Sequence, residues 1–198
     1  MFSAHPAETF LRWAQWTFLN TLAVVSAVFI SLTAIPIVAG ALGLEVSDRT
    51  ISFTMALLIG ILLAVAQWLL VRTRLLNPVL WIPSTFLSWM TPLITLFTFF
   101  RPSIEYQQVQ IAMVLVSIGV LIGFTQYLLL RPFRRKAPLW IIASVLGWVL
   151  LAISLPVPIS NNLELIKVGA IPALITGIAF AFVVCVPDPQ EGPQTHAA

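Results

Sequence analysis

Charge is scarce in this 198-residue sequence: Asp, Glu, Lys and Arg together make up 9% of it, against about 25% in an average soluble domain. Hydrophobic residues take 60%, and the mean hydropathy is +1.01. So little polar surface cannot cover a water-soluble globule of this length, and most of the exterior must face lipid. Histidine is scarce as well. His5 and His196 stand near the two ends of the sequence, which excludes a bis-histidine haem or a histidine metal cluster inside the membrane. The single cysteine, Cys185, lies among valines, has no partner for an intrachain disulfide, and reads as a small apolar side chain. No GxSxG, HExxH or phosphate-loop string occurs, and the acids Glu45, Asp48, Glu105 and Glu164 have no linked spacing for paired acid and base work. No catalytic residue, metal or cofactor is therefore expected.

The net charge of +3 and pI of about 9.6 could suggest nucleic acid. That function needs a basic face on a soluble domain, whereas the basic residues here fall in short loops between apolar runs. The loops are a topology signal, and no nucleic-acid partner is expected.

Six apolar runs are present, over residues 14–42, 51–71, 75–100, 107–130, 138–157 and 165–186, free of charge but for Lys167 at the start of the last. Each is long enough for a hydrocarbon core of about 30 Å. No aspartate, glutamate, lysine or arginine lies deep inside any run; Glu164 and Lys167 come nearest, at the mouth of the sixth. The hydrophobicity is continuous rather than alternating, so the spans are helices and not barrel strands. The first run, from Trp13 to Leu44, is too long for a cleaved signal peptide and reads as a retained span. Residues 1–12 suit a short interfacial segment before it. The expected fold is an all-α integral membrane protein, one transmembrane domain over residues 1–186, with a polar, proline-rich, disordered tail over 187–198.

With the N-terminus in the cytoplasm, that side collects Arg12, Arg72, Arg74, Arg131, Arg134, Arg135 and Lys136, which is seven of the ten basic residues. The other side holds Arg49, Arg101 and Lys167 beside four acids. The positive-inside rule then places both termini in the cytoplasm, with a bacterial inner (plasma) membrane as the expected location.

A segment of about forty residues occurs twice, offset by fifty-nine positions. Between residues 52–90 and 111–149 there are twelve identities, among them Gly60/Gly119, Gln67/Gln126, Arg72/Arg131, Trp81/Trp140 and Trp89/Trp148. The unit is a helical hairpin. On its first helix, Gly60, Ala64 and Gln67 share a face, as do Gly119, Gly123 and Gln126. Small residues four apart allow close helix approach, and the glutamine can hydrogen bond across it. The second helices carry small pairs of their own, Ser84 with Ser88 and Ala143 with Gly147. The last run repeats the small spacing as Gly169, Ala173, Gly177 and Ala181. Aligned at an offset of fifty-eight, its Gly177 and Ala181 fall where Gly119 and Gly123 stand, which gives an eroded third hairpin lacking the glutamine. The first helix, with Ala23, Ala27 and Ser31, could complete it. The expected architecture is thus three pseudo-repeated hairpins.

Trp81 and Trp140 fall near the cytoplasmic starts of their helices and are expected as interface anchors, together with Arg72, Arg131, Arg134, Arg135 and Lys136. Trp89 and Trp148 fall nearer mid-bilayer, where they belong to packing or to a cavity. Prolines 36, 83, 92 and 172 can kink their spans.

The repeated string G-x6-Q-[WY]-L-L-[VL]-R, here GILLAVAQWLLVR and GVLIGFTQYLLLR, resembles a motif of uncharacterised bacterial multi-pass membrane proteins. The resemblance covers residues 52–150 and implies architecture; it brings no activity. The function expected is that of a non-catalytic accessory or scaffold subunit, packing against membrane lipids, other membrane-protein subunits or further copies of itself. Two alternatives remain: a small permease or carrier subunit for a neutral or lipophilic solute, with Gln67 and Gln126 near its path, and a pigment- or cofactor-associated subunit of a photosynthetic or respiratory complex.

Overall fold

A computed structural model describes residues 6–73, 78–99, 107–132, 136–155 and 162–183. The described residues are 91% helical and contain no strand. The chain runs as α1 (Pro6–Phe29), a π-helical turn (Ile30–Ala34), α2 (Ile35–Ala41), α3 (Asp48–Val71), a 3₁₀ turn (Pro78–Leu80), α4 (Trp81–Phe99), α5 (Gln107–Leu130), α6 (Pro138–Ser154) and α7 (Asn162–Val183). Five stretches are long and apolar enough to cross a membrane: Ala7–Ala41, Asp48–Val71, Pro78–Leu96, Gln108–Leu130 and Ile166–Val183. The sixth apolar helix, Pro138–Ser154, has 17 residues and a length of about 26 Å at 1.5 Å per residue.

Local chemistry sets the helix ends. Ser47 caps α3, its Oγ accepting the Thr50 N–H at 3.2 Å, with Asp48 in the first turn favourable to the helix dipole. α2 closes in a Schellman motif: the Leu44 N–H reaches the Ala39 carbonyl at 2.8 Å and the Gly43 N–H reaches Gly40 at 3.1 Å. Gly43 makes this possible at φ +70°, a conformation costly for any residue with a Cβ. Of the prolines, Pro36 lies just after the π turn. Proline cannot donate to the carbonyl four residues back and its ring presses on it, and a widened turn absorbs the misfit. Helix runs unbroken from Pro6 through this turn, so residues 6–12 belong to the first helix rather than to a separate interfacial segment.

The helices close a ring in the order α1, α3, α4, α5, α6, α7 and back to α1. α1 and α7 meet antiparallel, with Gly169 against Thr21 and Val24 and Gly177 against Trp13 and Trp16. Inside, the side chains form three layers along the bundle. One apolar layer holds Ala23, Ala27, Ile59, Leu63, Trp89, Ile118, Ile122, Trp148 and Leu151. The opposite layer holds Trp16, Val71, Trp81, Leu130, Trp140, Phe180 and Val183. Between them, by their places along the helices, lie the buried polar residues Asn20, Gln67, Thr85, Gln126, Ser144 and Thr176. The outer surface is apolar, with Phe18, Phe29, Ile37, Leu87, Ile153 and Phe182 among its exposed large side chains, as a lipid-facing exterior requires.

Candidate functional site

In the polar layer, hydrogen-bonding side chains from several helices converge, and the two repeated glutamines are its centre. Gln67 Nε2 donates to Asn20 Oδ1 on α1 at 2.8 Å, and Gln67 Oε1 accepts the Trp81 indole N–H at 3.2 Å. Gln126 Nε2 donates to Gln67 Oε1 at 2.7 Å and to Thr85 Oγ1 at 2.8 Å. Its own Oε1 accepts the Trp140 N–H at 2.8 Å. Asn20 closes the chain by donating to the Trp16 carbonyl at 2.8 Å. Gln126 is fully buried and Gln67 is 8% exposed. Both protons of the Gln126 amide and both lone pairs of the Gln67 carbonyl are therefore used within the protein.

In both copies the tryptophan fourteen residues after the glutamine, at 67/81 and 126/140, donates to it. One helix ends, the chain turns, and the next helix begins with an indole aimed back at the amide. Trp81 and Trp140, expected at the lipid interface, are instead fully enclosed, at 0% and 1% exposure. The reason is that an indole N–H needs an acceptor, and the glutamine carbonyls supply one inside the bundle. Trp16 completes the set. Its N–H donates to Thr176 Oγ1 on α7 at 3.0 Å, its ring stacks on Phe180 at 4.5 Å, and it meets Trp140 edge-on at 5.3 Å.

Gly60 and Gly119 do other work than expected. A Cβ on Gly60 would come within 2.6 Å of Trp89 Cδ1, and one on Gly119 within 2.8 Å of Trp148 Cβ. These glycines make room for an indole of the following helix. A tight approach of helix backbone is found at Gly123, where a Cβ would lie 3.2 Å from Ile141 Cα. Ala64, Ala173 and Ala181 are buried too, at 0%, 3% and 3%. Trp89 and Trp148 pair at 5.5 Å, and Trp89 donates its N–H to the Ala56 carbonyl at 2.7 Å.

On α7 the contacts resemble those of α3. Gly169 stands against Val24 and Thr176 against Trp16, as Gly60 stands against Trp89 and Gln67 against Trp81.

Among the basic anchors, Arg72, Arg131 and Lys136 are exposed, and Arg72 lies over the Trp68 ring at 5.5 Å. Arg134, Arg135, Cys185, His5, His196 and the tail over 187–198 fall outside the described residues. Glu164, buried at 9%, pairs with Lys167 at 2.8 Å. No group of three or more metal-ligating side chains exists among the described residues.

Chemically, the layer consists of neutral amides, hydroxyls and indoles. It can fix helices against one another, and its free volume is small: the cavity bordering it measures about 30 Å³. No family model matches the chain, and no curated protein or solved structure matches it either.

Proposed function

We propose that this chain is a non-catalytic integral membrane protein, an accessory or scaffold subunit that packs against other membrane proteins or lipids. The observation that carries this reading is that Gln67 and Gln126 bond to one another and to side chains of the neighbouring helices. Their amides bond to Asn20, Thr85 and one another and their carbonyls to Trp81 and Trp140, so they hold helices rather than a solute. A carrier would need these groups to face a path, and a space of about 30 Å³ offers none. What the protein presents outward is largely apolar helix surface, including a cleft of about 320 Å³ between α4 and α5 bordered by Pro92, Leu96, Met113, Val114 and Leu121 together with Thr91, Thr95, Gln110 and Ser117. A largely apolar cleft on a lipid-facing wall suits a partner helix or an acyl chain.

The finer architecture of this reading is six membrane spans in three pseudo-equivalent hairpins: α3 with α4, α5 with α6, and α7 with α1. Three like hydrogen bonds support it, from Trp81 to Gln67, Trp140 to Gln126 and Trp16 to Thr176. Arg12, Arg72, Arg131 and Lys136 belong to helix ends and loops at the same end of the bundle, which supports a cytoplasmic placement of that end and of both termini, in a bacterial inner membrane.

The test is to crosslink the protein in its native membrane and identify what is captured. Recovery of a defined membrane-protein partner, or of a stable homo-oligomer, is expected. A protein that stays strictly monomeric and captures nothing would sink the scaffold reading.

A further inference from the structure

We propose that an ordered water molecule sits between Ser144 and Thr176 and takes the place of a third glutamine amide in the polar layer. Four residues beyond each indole of the basic end stands a polar side chain: Asn20 after Trp16, Thr85 after Trp81, Ser144 after Trp140. The first two receive a glutamine amide from the next helix of the ring, Asn20 from Gln67 and Thr85 from Gln126. By the same geometry Ser144 should receive one from α7. Thr176 occupies that place and accepts its indole, Trp16, as the glutamines accept theirs. Its side chain is too short to reach further, and its own proton is given to the Pro172 carbonyl at 2.7 Å.

Two observations mark the gap. Ser144 Oγ is fully buried and has no hydrogen-bond partner among the described residues. The cavity of about 30 Å³ lies there, bordered by Ser144, Thr176, Gln126, Asn20, Gln67 and Trp140. A single water needs roughly 10–15 Å³ of such space and two to four polar partners. Ser144 offers a proton, while Thr176 Oγ1 and Gln126 Oε1 each keep a lone pair after their recorded bonds, so one water finds three partners. The lining carries no charge, which selects a neutral donor and acceptor over an ion. A buried hydroxyl left unbonded would cost more than the ordering of one water.

A high-resolution experimental structure of the full chain in detergent or nanodiscs should show solvent density within hydrogen-bonding distance of both Ser144 Oγ and Thr176 Oγ1. Ser144 turned to bond the Trp140 carbonyl with no density in the cavity would overturn the proposal. Paired variants give a second readout. Thr176→Gln should keep or raise the thermal midpoint, with its carbonyl on Trp16, its amide on Ser144 and the solvent density gone. Thr176→Leu, of similar bulk, should lower the midpoint by several degrees, because it strands two polar groups. Leucine tolerated as well as glutamine would mean a dry packing void, and the water would be ruled out.

Discussion

The two apolar layers on either side of the glutamines both contain tryptophans, and they hold them in different ways. At the basic end Trp16, Trp81 and Trp140 each direct an N–H into the polar layer, so their positions depend on hydrogen bonds with a direction. In the opposite layer Trp89 and Trp148 are each wedged against a glycine that no larger residue could replace without displacing the ring, and the Trp89 N–H bonds a backbone carbonyl, that of Ala56, rather than the polar layer. The difference shows how a bundle surrounded by lipid obtains both affinity and register. Without water to drive apolar groups together, packing supplies most of the attraction, and directional bonds select which packing is adopted.

The largest expected effect follows from the layer of Trp89 and Trp148. Trp148→Ala removes a 4%-exposed indole and leaves a cavity that Gly119 and Trp89 cannot close. Its cost should be about 3–5 kcal/mol of stability in reversible unfolding from micelles. A loss under about 1 kcal/mol would show that this layer repacks freely and that the contrast with the other layer is false.

In the polar layer the unit of loss is the hydrogen bond. Gln126→Leu keeps approximate volume and deletes three bonds, to Gln67, Thr85 and Trp140. At about 0.6 kcal/mol for each intramembrane bond, the expected cost is about 2 kcal/mol. The double variant Gln67→Leu/Gln126→Leu sharpens this, because the bond between the two amides is counted in both single variants but broken once. The double should cost less than the sum of the singles by about 0.6 kcal/mol, read from a double-mutant cycle. Strict additivity would mean that the 2.7 Å contact contributes nothing to stability.

Much of this was legible in the residues. Low charge and continuous hydrophobicity dictate apolar helices, since lipid offers the backbone no other partner. The repeated glutamine marked the centre of the polar layer because an amide is costly in an apolar span unless bonded. Trp81 was read outward because an indole at a helix end suits both a headgroup and an interior acceptor, and sequence alone does not weigh the two. Thr176 was missed for a different reason. Its partner Trp16 lies 160 residues away, so the bond exists only once α1 and α7 close the ring.

The smallest effect is expected outside both layers. Arg72 is exposed at the end of α3 and lies 5.5 Å from the Trp68 centroid, a contact worth about 0.5–1 kcal/mol at an exposed site. Arg72→Ala should therefore lower stability by no more than that, well below the loss from Gln126→Leu. If the positive charge serves orientation, its effect should appear instead in insertion, as a larger fraction of reversed molecules in a topology reporter assay. Should Arg72→Ala destabilise the folded bundle as much as Gln126→Leu, the basic end would count as a third structural layer, and the division between packing and directional bonding would have to extend to charge.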